Sequence, residues 1–149
     1  MMDEIVIRLA ELKDTRQLVI LIEQLSYKIT EEKLRDYLSE LLENPDYEIY
    51  VAEQIQSGLL LGLVFAYAFK SIMQDYAYEV LGLVVHEKYR SKNIGVLLLA
   101  EIERIAFSKG INCIIVRSKV IRDNAHKFYI REGYSINKTQ HVFHKYLMS

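Results

Sequence analysis

The sequence has one cysteine, one proline and no tryptophan among its 149 residues. A single thiol, Cys113, excludes an intrachain disulfide, and its natural setting is reducing and cytoplasmic. Charge of either sign is lacking in excess: 19 Lys and Arg against 20 Asp and Glu leave a net −1. That balance argues against broad electrostatic binding to nucleic acid or an anionic membrane. The longest apolar run, Leu59 to Phe69, falls well short of the roughly 20 residues of a membrane-spanning helix. The opening "MMDEIVIRLA" has early acids and no long apolar core, so no signal peptide is expected. Without repeats, low-complexity stretches or a linker, the chain reads as a single domain, 1–149.

What is present is a core. Half of the residues (51%) are hydrophobic and 26% charged, the balance of a globular protein. Eleven tyrosines suit either a pocket with polar tips or ordinary half-buried strands.

Apolar periodicity lays out the elements. Ile5 to Ala10 reads as a strand. Asp14 is placed to cap a first helix with Gln17 three residues on, and Leu18, Leu21, Ile22 and Leu25 form its apolar stripe. Thr30 caps a second helix with the stripe Leu34, Tyr37, Leu38, Leu41 and Leu42. After the turn signal around Pro45 the period becomes two, with Tyr47, Ile49 and Val51 on one face. "QSG", ending at Gly58, predicts a hairpin into Leu59 to Phe69, followed by a strand over Tyr76 to Val85. The latter ends in "VLGLVV", apolar on both faces, so it is expected to be central. Asn93 to Lys109 reads as a helix stopped by Gly110, with Ile94, Leu98, Ile102 and Ile105 on one side. Ile111 to Val116 predicts a buried strand, Asp123 caps a short helix ending at Gly133, and Tyr134 to Tyr146 hold two closing strands. The order β-α-α-β-β-β-α-β-α-β-β implies an α/β fold. Its sheet of six to seven strands is mostly antiparallel, with four helices and one parallel crossover.

Between the central strand and the third helix lies "RSKNIG", Arg90 to Gly95. The first four N–H groups of a helix have no internal partner and sit at the positive end of its dipole, so a strand turning straight into a helix makes an anion site. Arg90 and Lys92 add charge, and Gly95 would allow close approach. Read alone, the stretch is equally a polar loop with a helix start. It is neither a Walker loop nor a dinucleotide fingerprint.

A second stretch, "DNAHKFYIREGY" (Asp123 to Tyr134), changes the balance. Together the two resemble motifs A and B of the GNAT N-acetyltransferase superfamily, and the "LSY" of Leu25 to Tyr27 resembles its small bacterial members. Motif A there is Gln/Arg-x-x-Gly-x-Gly/Ala, and its middle glycine is replaced here by Asn93. The resemblance spans almost the whole chain and implies the GNAT fold, acetyl-CoA as cosubstrate, and a pyrophosphate held by Arg90, Ser91, Lys92, Asn93, Ile94, Gly95 and Val96. It implies further that the pantetheine arm pairs like a strand with Leu83, Val84 and Val85 where two strands part. Asn124 would bond that arm, Phe128 would line its channel, and Tyr129 would be the general acid. Asn93 also leaves open a non-catalytic CoA-binding or regulatory module of the same fold. Dimers are common in the family, which implies a homodimer.

The chemistry asks for two proton movements. A departing thiolate, conjugate to a thiol of pKa about 8.5, gains from a phenol's proton, and an amine of pKa about 10.4 must lose one before it attacks. Glu79 is the candidate base, directly or through water, since an acid in "YEVLGLVV" is costly to bury unless partnered or functional. It reads equally as an exposed strand residue. Cys113 reads as buried and no nucleophile. The resemblance implies a primary-amine acceptor, on a small molecule or peptide, resting against Tyr27, Lys28, Ile29, Tyr67, Tyr78 and Ser118, each also readable as scaffold. His86, His126, His141 and His144 read as surface or capping residues, and no metal is expected, because no metal-ligand spacing is present.

Overall fold

In the computed structural model, which describes residues 4–90 and 92–148, the contacts divide the chain into two units, residues 1–117 and 118–149. The first holds a five-stranded sheet in sequential order: β1 (Ile5–Leu9), β2 (Tyr47–Gln54), β3 (Leu59–Ser71), β4 (Gln74–Val85) and β5 (Ile114–Val116). The first four strands pair antiparallel, and β5 joins β4 in parallel. Three helices accompany them: α1 (Thr15–Glu23), α2 (Glu31–Leu41) and α3 (Ile94–Ser108). The second unit contains α4 (Asp123–Arg131).

Side-chain alternation gives the sheet two apolar faces. On one, Leu18 and Leu21 of α1 and Leu34 and Leu38 of α2 pack with Ile49, Val51, Leu63 and Val84. The other takes α3, whose Ile94, Leu98, Ile102 and Ile105 are all buried. Gly62 permits that close approach, because a Cβ there would stand 2.8 Å from the Leu98 Cδ1 and 3.0 Å from the Val84 carbonyl oxygen. At the far end of α3, the buried Tyr78 donates to Glu48 (3.2 Å) and accepts from Lys109 (3.0 Å).

Several expectations change. Asp14 does not cap α1. Its carboxylate, 3% exposed, faces the Arg8 guanidinium through two bonds of 2.9 Å and accepts the Glu11 N–H at 2.8 Å. Arg8 also reaches Glu53 at 2.8 Å, so one guanidinium ties β1, β2 and the entry to α1. Gln17, expected in a capping box, clips the β2–β3 turn instead, donating to the Gly58 carbonyl and accepting the Leu60 N–H. Thr30 does cap α2, accepting the Lys33 N–H at 3.1 Å. Tyr37 lies outside the buried stripe, 52% exposed. The strand expected over 111–116 shortens to β5, which is half-buried, and Cys113 just before it is exposed. Asp123 is the first residue of α4, and no side chain caps that helix. The two strands expected within 134–146 do not form: residues 135–148 carry no helix or strand, so the sheet has five strands among the described residues. Alternating apolar residues are enough to suggest a strand, but a strand exists only with a ladder partner.

The Arg8–Asp14 pair generates a stability prediction. Burial by itself would push the Asp14 carboxyl up; the bonds from Arg8 and the Glu11 N–H outweigh it and hold the group below its ordinary range. A depressed carboxyl contributes stability that is present above its unfolded value of about 3.9 and is lost as pH falls through its folded value. Asp14→Asn, which takes one carboxylate from the Arg8 guanidinium and leaves it Glu53, should cost about 1.5–2 kcal/mol in urea unfolding at pH 7. The gap between variant and parent should narrow as pH falls below about 4.

Candidate active site

The site begins where two strands part. β4 pairs with β3 from Gln74 to Val85, but with β5 only at Tyr78, Glu79 and Val80. Opposite β3 the register skips: Phe65 faces Gly82 and Ala66 faces Val80, leaving Leu81 as an extra residue. Such a bulge bends its strand and sharpens the twist. Gly82 is fitted to it, since any Cβ there would run into the Phe65 ring. Beyond Val80, the edge of β4 away from β3 has no strand on it among the described residues, which leaves a length of backbone able to pair with an extended chain. Along it Leu81 is 43% exposed, Leu83 and Val85 are half-buried, and Val84 is buried.

The chain runs from that edge directly into the loop before α3. His86 Nδ1 accepts the Lys88 N–H at 3.2 Å, and the Glu87 N–H donates to Gln24 Oε1 at 3.0 Å, tying the loop to the end of α1. Arg90 is extended, and its Nε reaches back to the Val85 carbonyl at 3.3 Å. Ser91 lies outside the described residues. The Lys92 ammonium stands 5.9 Å from the Tyr89 ring centre. Asn93 takes φ 61° and ψ 16°, the left-handed conformation expected of the missing glycine. Its carbonyl accepts the Leu97 N–H at 3.1 Å, while its side chain makes no cap bond. Among the described residues no side chain caps the first turn of α3, whose N–H groups at Ile94, Gly95 and Val96 follow a loop that carries Arg90 and Lys92, and such a helix start is a geometry for an anion.

Glu79 lies at the base of the strand fork. In register across the sheet stand Tyr47, Tyr67, Glu79 and Ile115, so these share one face. Tyr67 stacks on Tyr47 with centroids 5.6 Å apart and touches Phe69 at 5.4 Å. Glu79 is 9% exposed and pairs with Arg117, two residues beyond Ile115, at 3.2 Å. Sequence reading missed Arg117; only the parallel pairing of β4 and β5 brings it to Glu79. Tyr78 points to the opposite face and has no exposed surface. Tyr27, 69% exposed, follows a left-handed Ser26 in the α1–α2 connection, with Lys28 and Ile29 after it.

The second unit holds the remaining residues singled out in the sequence. Asn124 is exposed in the first turn of α4, and Ser118 is exposed ahead of it. Phe128 and Tyr129 are half-buried; the Tyr129 ring meets Tyr134 edge-on at 5.9 Å, and its carbonyl accepts the Tyr134 N–H at 2.9 Å. Burial pushes the Tyr129 phenol up against a smaller opposing pull from Arg122, so it is a neutral donor at pH 7. His126 bonds the Lys119 carbonyl at 2.8 Å. His141 and His144 contact the rings of Phe143 and Tyr146 respectively. Among the described residues no three of His, Cys, Asp and Glu gather in a metal-binding group, and no helix is long and apolar enough to cross a membrane. A cleft of about 400 Å³ does open, but at the other end of β4, around Asp75, Lys109 and Cys113.

Comparison with known proteins matches residues 15–134 to the acetyltransferase (GNAT) family. A relative, aminoalkylphosphonate N-acetyltransferase of Salmonella typhimurium, is 29% identical over 130 residues, covering 86% of this chain and 83% of that protein. In structure the chain is similar to glucosamine-6-phosphate N-acetyltransferase from Arabidopsis thaliana, with TM-score 0.83 and 23% identity over 98% of this chain and 100% of the other. It is also similar to an aminoglycoside N-acetyltransferase solved in complex with CoA, with TM-score 0.85 and 15% identity over 97% of each chain.

The turn at Asn93 can be tested apart from any ligand. Asn93→Gly should leave stability within about 0.5 kcal/mol, whereas Asn93→Val should cost about 1–2 kcal/mol in urea unfolding, because a β-branched residue is strained at positive φ.

Proposed function

The chain belongs to the acetyltransferase (GNAT) family and is an N-acetyltransferase in class, and we propose that it moves an acetyl group from acetyl-CoA to a primary amine of a small molecule or peptide, by direct attack in a ternary complex. One observation carries the reading: among the described residues, a strand edge with no strand on it runs straight into a helix start that no side chain caps, through a loop that carries Arg90 and Lys92. An amide-bearing arm ending in a pyrophosphate has the two chemistries that this backbone offers, strand pairing and anion binding. Leu83, Val84 and Val85 would hold the arm. Asn93, Ile94, Gly95 and Val96 would hold the pyrophosphate, with Arg90, Ser91 and Lys92 beside them. Asn124 and Phe128 keep the roles that motif B implies.

The reaction forms a C–N bond and breaks a C–S bond. Glu79 would take a proton from the attacking ammonium, directly or through a water, and Tyr129 would give one to the departing sulfur. Burial keeps the Tyr129 phenol protonated across the working range while making it a weaker acid than a free phenol. Tyr67 and Tyr27 remain as acceptor contacts, along with Ser118. The left-handed backbone at Asn93 supports CoA binding at this turn, and turnover with an amine is what separates the transferase from a non-catalytic CoA-binding module.

Thiol release from acetyl-CoA over a panel of primary amines tests this reading. Tyr129→Phe and Glu79→Gln should each lower kcat on the order of 100-fold while calorimetry finds CoA binding unchanged. Undiminished turnover in both variants would contradict the assigned roles. The sign of the Tyr129 shift adds a pH test: activity that needs the protonated phenol is lost as pH rises through its pKa, so this loss should begin above the ordinary phenol value of about 10 and be absent in Tyr129→Phe.

A further inference from the structure

The geometry points to a zwitterionic acceptor: we propose that the Glu79–Arg117 pair selects a small amine that also carries an oxyanion, with Glu79 meeting the ammonium and Arg117 the anion. The inference rests on the transferase reading above and names the substrate class of that site. The two charges stand on the two prongs of the strand fork, Glu79 on β4 and Arg117 just past the end of β5, 3.2 Å apart. They are unequal in access. The Glu79 side chain is 12% exposed and the Arg117 side chain 55%, so the carboxylate is held inside while the guanidinium faces outward. On the same sheet face, Tyr67 lies in register with Glu79 and stacks on Tyr47, which gives an organic cation an aromatic wall beside its carboxylate.

That arrangement penalises a plain amine. Its ammonium must compete with Arg117 for a single carboxylate. An acceptor bearing carboxylate, phosphonate or phosphate a few bonds from nitrogen exchanges one ion pair for two: its anion engages the guanidinium fork and its ammonium takes the Glu79 carboxylate. Glu79 then faces the amine whose proton it must accept. Arg117 in this account is a specificity residue, not a catalytic one. A guanidinium more than half exposed is screened, so the expected preference is modest.

The test compares acceptors matched in length: 3-aminopropylphosphonate, 4-aminobutanoate and n-butylamine, with acetyl-CoA saturating. The parent chain should show kcat/KM on the order of tenfold higher for the two oxyanion-bearing amines than for the plain one, mainly through KM. The phosphonate and carboxylate arms identify which anion the site prefers. Arg117→Gln should bring the ratio near one, and Arg117→Lys, which keeps a charge but no planar fork, should restore part of it. Equal use of charged and plain amines by the parent, or a preference that survives Arg117→Gln, would overturn this inference and leave the transferase reading standing. No acetylation of any amine, despite CoA binding, would overturn both.

Discussion

The parting of β4 from β5 after Val80 is the constraint on which the rest of the molecule turns. A sheet normally satisfies its interior backbone groups through its neighbours, and here a central strand is left half-paired from Leu81 to Val85. The bulge at Leu81 and the missing Cβ of Gly82 aim the strand away, while the ladder to β3 continues and keeps the edge rigid. The same departure brings Glu79 and Arg117 to the base of the fork and feeds the chain into α3, where among the described residues no side chain caps the helix.

Such an edge persists because the scaffold around it is over-determined. α3 is seated on the sheet by six buried aliphatic residues, two of which, Ile94 and Leu98, lie against Gly62, and this close packing fixes its first turn beside β4. Gln24 ties the loop to α1, and Gln17 and Arg8 tie α1 to the hairpin and to β1. The polar ties lie on the periphery of the apolar cluster, where their groups find hydrogen-bond partners without crossing the core. The cost of an unpaired edge is met by a rigid frame, and this is the form preorganised binding takes.

Much of this architecture was legible. The helix stripes of Leu18 and Leu21, of Leu34 and Leu38, and of the α3 aliphatics follow from period alone, as do the positions of β2 to β4 and the Thr30 cap. Asn93 was legible as the residue that replaces the middle glycine of motif A, and its left-handed backbone answers that exchange. What failed depended on partners distant in sequence. Asp14 looks like a cap until Arg8 claims its carboxylate, and Gln17 looks like half of a capping box until the hairpin reaches it. Tyr67 and Tyr78, both on the strands, end on opposite faces, and only the register separates a half-exposed ring from a core residue. Arg117 carries no local signal at all. The segment after Tyr134 alternates like a strand, yet period cannot supply the neighbour that a strand requires.

The central claim, that the Leu81–Val85 edge and the first turn of α3 together receive the arm and pyrophosphate of acetyl-CoA, is tested most directly by amide hydrogen exchange with and without CoA. The account predicts slowed exchange concentrated at residues 81–85 and 93–96, with little change in α1 and α2. Unchanged exchange at both segments under saturating CoA, or protection confined to the cleft around Asp75 and Cys113, would contradict it.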